Sequence, residues 1–229
     1  MCLCGDDGVV GGDFEAIVDR VLGAAARPGR VLVAIDGVGA SGKSTFAARL
    51  ARQGDARPVV VLHVDDFFNP SQVRHAKGRY APEGFWLDSY NYEALIASAL
   101  RPLAVGGDGL YSAASFDPMA DRVVLSKQVR APDDALVLVE GTFLHRDELV
   151  QFWDYSIYLD VPFAEAARRM ARRNGVDADP EPGLTSRYDR AQRVYFDAAA
   201  PWSRASLVVD NTDFHNPKII GPDQVSATR

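Results

Sequence analysis

The segment Gly37–Thr45 reads GVGASGKST and lies one residue after the apolar run Val31–Ile35, which reads VLVAI. It matches the pattern G-x-x-x-x-G-K-[ST], and residues 46–50 (FAARL) continue it with a helical pattern. Glycine lets the backbone wrap around a phosphate with its N–H groups, and the N-terminus of the following helix adds a positive partial charge. A strand, this loop and a helix in this order therefore predict a phosphate-binding loop.

The residue types within the loop predict how it holds a nucleotide and a metal ion. Lys43 can reach the β- and γ-phosphates, and the Ser44 hydroxyl can bind Mg²⁺, so ATP and Mg²⁺ are the predicted cofactors. The residues predicted to bind ATP belong to the loop and the first helical turn: Gly37, Gly39, Ala40, Ser41, Gly42, Lys43, Ser44 and Thr45. For Asp36, just before the loop, two interpretations stay open: it positions the loop or substrate, or it caps the end of the strand.

The length and composition of the chain are those of a globular α/β protein. Its 229 residues are 47% hydrophobic and 24% charged, and we predict one domain over residues 1–229. The net charge of −6 argues against a general nucleic-acid binder. The sequence has no signal-like segment and no apolar run of membrane-spanning length, so the protein is expected to be cytoplasmic. The expected partner is a small-molecule acceptor rather than nucleic acid or a membrane, and a homo-oligomer is left open.

Continuous apolar runs along the chain predict a sheet. They are residues 31–35, 59–64, 135–139, 156–159 and 206–209. Continuous rather than alternating runs are typical of parallel strands that are covered on both faces, and the helical patterns between them imply right-handed crossovers. The predicted fold class is α/β: a three-layer P-loop NTPase fold with a parallel, five-stranded sheet flanked by helices. We also predict an N-terminal helix over 13–26, and a strand pair or irregular insertion over the acceptor site at 111–130.

Carboxylates follow two of the predicted strands. Asp65 directly follows the run 59–64, and Glu140 directly follows the run 135–139. In open α/β sheets ligands bind beyond the carboxyl ends of the strands, which places both acids toward the phosphate site. Phosphoryl transfer to an alcohol needs a carboxylate to accept the hydroxyl proton, and Asp65 is the predicted base. Glu140 is predicted to hold Mg²⁺ directly or through water. Capping of the next element is the alternative role for each acid.

Several segments together resemble the uridine kinase family, within the wider group that includes phosphoribulokinase and bacterial pantothenate kinase. Besides the loop, they are HVDDFFNP (63–70), APEGFWLDSYNYEAL (81–95), VEGTFLHRDEL (139–149), WDYSIYLDVPFAEAARRMARRNG (153–175) and RYDRAQRVYFDAAAPWSRASLVVDNTD (187–213). The resemblance implies that Asp65 is the acceptor base and that Phe68 lines a nucleoside pocket. It also implies that Glu83 holds the ribose hydroxyls and that Tyr111 lies near the base. The chain departs from the family by Glu83, where an aspartate is usual, and by the lack of a histidine in 116–122.

A basic cluster lies on one predicted helix and contains Arg168, Arg169, Arg172 and Arg173. Fixed arginines stabilise the negative charge of a phosphoryl group in transfer. The resemblance implies that this helix begins a small lid over residues 168–187, with Arg169 and Arg172 as catalytic phosphate contacts and Arg187 facing the pocket. Arg173 is expected at the surface. The alternative for the whole cluster is a solvated basic face.

The predicted activity is ATP- and Mg²⁺-dependent transfer of the γ-phosphoryl group to the 5′-hydroxyl of a nucleoside, with uridine and cytidine as first candidates. The same transfer to a sugar, a pantothenate-like alcohol or a nucleoside monophosphate stays open. A nucleotide-dependent regulatory NTPase is a further alternative, although the Asn-Lys-x-Asp guanine reader is missing from the sequence. His63, within an apolar run, is expected to pack in the core.

Overall fold

The computed structural model describes residues 12–53, 57–175 and 182–228. The strands are β1 Val31–Gly37, β2 Val59–His63, β3 Leu110–Ser112, β4 Phe116–Asp117, β5 Arg122–Val123, β6 Gln128–Arg130, β7 Leu136–Gly141, β8 Tyr155–Asp160, β9 Leu207–Asp210 and β10 Lys218–Ile220. The helices are α1 Gly12–Ala24, α2 Lys43–Ala51, α3 Ser71–Arg74, α4 Pro82–Asp88, α5 Tyr92–Leu95, α6 Arg101–Leu103, α7 Asp147–Val150, α8 Phe163–Asn174, α9 Pro182–Ala199 and α10 Pro201–Arg204. A π-helical segment, Ile96–Leu100, joins α5 to α6, and 3₁₀ turns span Val64–Phe67 and Ser226–Thr228.

The central sheet has the strand order β10-β9-β8-β1-β7-β2. All pairings between β9 and β2 are parallel, which confirms the predicted parallel sheet of five strands. The sheet also has a sixth strand, β10, which the sequence did not predict. It pairs antiparallel with β9 at the edge of the sheet. This strand has only three residues, too few to give a sequence pattern of its own.

Alternate residues of the central strands supply two separate hydrophobic cores. Leu32 and Ala34 of β1 pack on one face of the sheet, in a cluster that includes Leu100 and Tyr195. Val31, Val33 and Ile35 pack on the other face, in a cluster that includes residues of α1 and α2. Every residue of β1 and β7 is buried. Because neighbouring side chains on a strand point to opposite faces, a continuous apolar run places helices on both sides and gives the three-layer fold.

The segment 111–130 forms short antiparallel pairs beside the main sheet. Strand β3 pairs with β6, and β4 pairs with β5. The Ser115 amide donates to the carbonyl of Asp66 at 3.0 Å, and the Phe116 ring lies edge-on to Phe68 at 6.3 Å. These contacts place the insertion against the segment that follows β2.

Candidate active site

The phosphate-binding loop joins β1 to α2, and two of its glycines have no room for a side chain. Gly42 has φ +90°, and a Cβ there would lie 3.0 Å from Nδ2 of Asn211. A Cβ at Gly37 would lie 2.7 Å from Oγ of Ser41 and 2.8 Å from the carbonyl oxygen of Leu159. Glycine is therefore required at both positions by backbone conformation and by close approach of neighbouring atoms.

The ammonium group of Lys43 contacts the beginning of the loop. Its Nζ donates to the carbonyl oxygens of Gly37 at 3.0 Å and Val38 at 2.9 Å. Burial lowers the pKa of Lys43, while the negative charges of Glu140, Asp65 and Asp36 oppose that shift. Carboxylates that end or follow three neighbouring strands, β1, β7 and β2, thus surround one positive charge.

Two oxygen atoms suited to a hard cation meet beside the loop. Ser44 Oγ donates to Glu140 Oε1 at 2.8 Å, and the Glu140 side chain is buried. Across residues 12–53, 57–175 and 182–228, no group of three or more His, Cys, Asp or Glu side chains could enclose a metal ion. Magnesium is usually bound by one or two carboxylates together with substrate phosphates, so a hydroxyl and a carboxylate at this position fit it.

His63 also contacts Glu140. Its Nδ1 lies 2.6 Å from the same oxygen, Oε1, and 45% of the histidine side chain is exposed. The expectation that His63 packs in the core is therefore wrong. It is the last residue of β2, where its side chain points away from the core, and its register opposite Glu140 in β7 brings the two together.

The carboxylate of Asp65 is held by a tyrosine that sequence reasoning did not single out. Asp65 lies in the 3₁₀ turn Val64–Phe67, and the Tyr90 hydroxyl donates to its Oδ1 at 2.9 Å. Burial raises the pKa of Tyr90 well above its ordinary value, with the charge of Asp65 acting in the same direction, so the phenol keeps its proton and acts as a donor. Their separation of 25 residues left no local signal for the pair.

Aromatic rings and one arginine line the region next to Asp65. The ring of Phe68 stacks on Tyr90 at 4.7 Å between centroids, with 13° between the ring planes. The Arg74 guanidinium lies 5.2 Å from the centre of the Phe68 ring and 5.9 Å from that of Phe116. This arrangement forms a cationic and aromatic cluster beside the carboxylate.

The other predicted acceptor contacts lie on α4, β3 and α9. Glu83 is exposed in the first turn of α4, whereas Tyr111 packs in the hydrophobic core with 8% of its surface exposed. Burial raises the pKa of Tyr111. Arg187 is 4% exposed and donates to the carbonyl oxygen of Arg79 at 2.8 Å. Burial lowers the pKa of Arg187, whose guanidinium lies over the ring of Phe85. Arg187 thus fastens α9 to the segment before α4.

Arg169 is the arginine of α8 that contacts the phosphate-binding loop. Its Nη1 donates to the carbonyl oxygen of Ser41 at 3.3 Å, and its Nη2 donates to that of Thr212 at 2.7 Å. Its Nε donates to Glu165 at 2.8 Å. The planar guanidinium therefore ties the loop to the chain that follows β9.

The other three arginines of α8 are exposed to solvent. Arg168 is exposed and pairs with Glu165 at 2.8 Å. Arg172 and Arg173 are exposed as well, but the charge of Arg173 reaches the site, where it contributes to lowering the pKa of Lys43. The predicted lid, 168–187, includes residues 176–181, which lie outside the described residues.

Comparisons of the amino-acid sequence place this chain near kinases. No protein-family model matches it. It is 29% identical over 167 residues to a pantothenate kinase of Erwinia tasmaniensis, covering 65% of this chain and 51% of that protein. It is 28% identical over 162 residues to a pantothenate kinase of Escherichia coli, with the same coverage. The chain thus spans about half the length of the curated relatives it matches.

Solved structures of kinases share the three-layer α/β fold of this chain. A possible uridine kinase from Bacillus stearothermophilus has a TM-score of 0.66 and 24% identity, covering 85% of this chain and 95% of that one. A D-glycerate 3-kinase from Cryptococcus neoformans has a TM-score of 0.61 and 11% identity, covering 92% of this chain and 99% of that one. The expected resemblance is confirmed at the level of the fold. Of the helices that the structure describes, none has the length and apolar character to cross a membrane.

Proposed function

We propose that this chain, which has the fold of the P-loop kinases, transfers the γ-phosphoryl group of ATP to a small alcohol with the help of Mg²⁺. The observation that carries the proposal is the convergence of three functional groups at one edge of the sheet. The Lys43 ammonium, the Ser44–Glu140 pair and the Asp65 carboxylate lie together there. That edge is where α/β folds of this kind bind their ligands.

The loop and the carboxylates have separate roles in this reaction. The loop amides and Lys43 hold the phosphates. To do so, Lys43 exchanges its hydrogen bonds to the carbonyl oxygens of Gly37 and Val38 for bonds to phosphate oxygens. Ser44 and Glu140 would hold Mg²⁺, which neutralises charge on the β- and γ-phosphates. Arg169 and Arg172 are proposed to stabilise the phosphoryl group in transfer.

Asp65 is the proposed base. The Tyr90 hydroxyl occupies Oδ1. Among the residues that the structure describes none donates to Oδ2, and we propose that this oxygen accepts the proton of the acceptor hydroxyl. As that proton moves to Asp65, the acceptor oxygen bonds to the γ-phosphorus and the bond to the β,γ-bridging oxygen breaks, releasing ADP. A carboxylate oriented through one oxygen presents the second in a fixed direction.

The leading acceptor is a nucleoside with a free 5′-hydroxyl. Phe68, stacked on Tyr90 and flanked by Phe116 and Arg74, suits a planar base next to Asp65. A pantothenate-like alcohol is the second candidate, because the curated relatives named above are pantothenate kinases and residues 116–122 contain no histidine. Further acceptor contacts predicted from the resemblance stay predictions: Glu83, Tyr111, Arg169 and Arg187.

The test measures ADP formation with ATP and Mg²⁺ against nucleosides, sugars, pantothenate and nucleoside monophosphates. We expect turnover with uridine or cytidine, lost in Asp65→Asn while ATP binding is kept. Asp66→Asn is the matched control, because it removes the adjacent carboxylate. Turnover with pantothenate alone would select the second candidate. Slow hydrolysis that no acceptor stimulates and that Asp65→Asn leaves unchanged would favour a regulatory NTPase.

A further inference from the structure

We infer that Asp36 is a positioning residue that holds the phosphate-binding loop and the turn after β7 (residues 142–145) in fixed relation, and thereby sets the position of the metal-binding carboxylate, Glu140. The inference rests on the proposed function and deepens it. Asp36 lies opposite Gly141 in the parallel register of β1 and β7, so it is at the point where both strands enter the site.

One oxygen of Asp36 joins the loop to the turn. The carboxylate is fully buried, and its Oδ1 accepts from the amide of Gly37 at 2.7 Å and from that of Phe143 at 3.1 Å. Gly37 is the first residue of the phosphate-binding loop. A single atom is therefore shared between the loop that would hold the phosphates and Phe143, which follows Glu140 by three residues.

The second oxygen holds the rest of the turn. Oδ2 accepts from the amides of Leu144 at 3.0 Å and His145 at 3.2 Å. The Nδ1 atom of His145 lies 2.8 Å from Oδ2, and the Tyr195 hydroxyl donates to the same oxygen. Burial alone would raise the pKa of Asp36, but the hydrogen bond and charge of His145, with the Tyr195 hydroxyl, outweigh it and lower the pKa, so the carboxylate stays ionised.

The turn that Asp36 holds is strained. Phe143 has φ +72°, in the left-handed region that a bulky residue rarely adopts. Such conformations persist only where surrounding contacts determine them, and they cluster at functional sites. The hydrogen bond from the Phe143 amide to Asp36 is one such contact. The Phe143 ring is a second, because it packs in the core against Tyr90 at 6.5 Å between centroids.

The strand end is also packed tightly against Val64, the residue before the proposed base. A Cβ at Gly141 would lie 2.6 Å from Cβ of Val64, the residue before Asp65. We expect a shift of the turn to displace both carboxylates, because Gly141 follows Glu140 directly and presses on Val64, which precedes Asp65. An apolar side chain at position 36 could fill the volume of the Asp36 carboxylate. It could not accept hydrogen bonds from the backbone amides of the loop and of the turn.

The experiment titrates the chain with ATP at a series of Mg²⁺ concentrations in a calorimeter, so that it needs no acceptor. In Asp36→Asn we expect the Mg²⁺ concentration that half-saturates the gain in ATP affinity to rise roughly tenfold, the size typical of outer-shell positioning groups. In a Glu140→Gln background the same substitution should change it little, because the group being positioned is already lost. Tyr195→Phe removes one donor and should give a smaller rise in the same direction.

Val33→Ala is the control, since it lowers stability from the middle of β1 without touching the site. A folded Asp36→Asn with the Mg²⁺ dependence of wild type would overturn the inference, as would an equal rise in Val33→Ala. If Asp36→Asn does not fold, Tyr195→Phe decides the question, and an unchanged Mg²⁺ requirement there overturns it. Wild type that binds no ATP in the presence of Mg²⁺ would instead overturn the proposed function and this inference with it.

Discussion

The hydroxyl of Tyr90 donates to Oδ1 of Asp65 at 2.9 Å, and this bond orients the carboxylate that we propose as the catalytic base. The tyrosine is buried and stacks on Phe68, so its own position is fixed by packing. One oxygen of the base is thereby anchored, and the other is left to meet the acceptor.

Tyr90→Phe should lower kcat roughly tenfold while leaving the KM for ATP unchanged. The substitution removes one hydrogen bond to a charged group but keeps the aromatic packing, and such bonds contribute about 1.5–3 kcal/mol. Steady-state kinetics with the preferred acceptor would measure both constants. Tyr158→Phe, at another buried tyrosine, is the matched control and should leave kcat unchanged. Wild-type kcat in Tyr90→Phe would show that Asp65 is not positioned through this bond.

Arg169→Ala should weaken ATP binding by roughly tenfold, because the carbonyl of Ser41 in the loop and that of Thr212 after β9 lose their shared donor. Arg169→Lys should restore little, since an ammonium cannot reproduce the planar fork. Arg168→Ala is a close control, because Arg168 is exposed and pairs with the same Glu165. Calorimetric ATP affinities would separate the two positions, and equal losses for both would contradict the assignment.

Glu140→Gln should raise the Mg²⁺ requirement for ATP binding roughly 10–100-fold, because a neutral amide is a weaker ligand for a hard cation. Removal of divalent ions with a chelator should bring wild type to the level of the variant. Glu93→Gln, an exposed glutamate on α5, should behave as wild type. If Glu140→Gln kept the wild-type Mg²⁺ requirement, the carboxylate would have a capping role only.

Asp36 should make the stability of the fold sensitive to acid. Its pKa in the folded protein is lowered from its ordinary value of 3.8, so its contribution is fully present above that value and is lost as the pH falls through the lowered pKa. Asp36→Asn should therefore reduce the free energy of unfolding by about 2–3 kcal/mol near neutral pH, with a difference that shrinks below about pH 4.

Urea unfolding of wild type and Asp36→Asn between pH 2 and 7 would measure that difference. Asp133→Asn replaces a carboxylate that is almost fully exposed, and it should show no comparable effect at any pH. A difference between wild type and Asp36→Asn that stayed constant down to pH 2 would mean that folding does not lower the pKa of Asp36.

The phosphate-binding loop, the buried strands and the position of two carboxylates could be predicted from the sequence. Gly37 and Gly42 are required by backbone conformation. The runs 31–35 and 135–139 are apolar throughout because both faces of β1 and β7 are buried. Asp65 and Glu140 were placed at one edge because the carboxyl ends of parallel strands meet there. Each of these inferences depends on contiguous residues or on a general rule of the fold.

Only the tertiary structure decided which side chains meet. Asp36 contacts His145, 109 residues away, and His63 contacts Glu140, 77 residues away. Tyr111 packs in the core, and Arg187 fastens the segment before α4. Such pairings depend on strand register, on the strained turn at Phe143 and on the packing of both cores, none of which has a local signal in the sequence. A backbone conformation is a property of neighbouring residues, whereas a side-chain partner is set by how distant segments pack together.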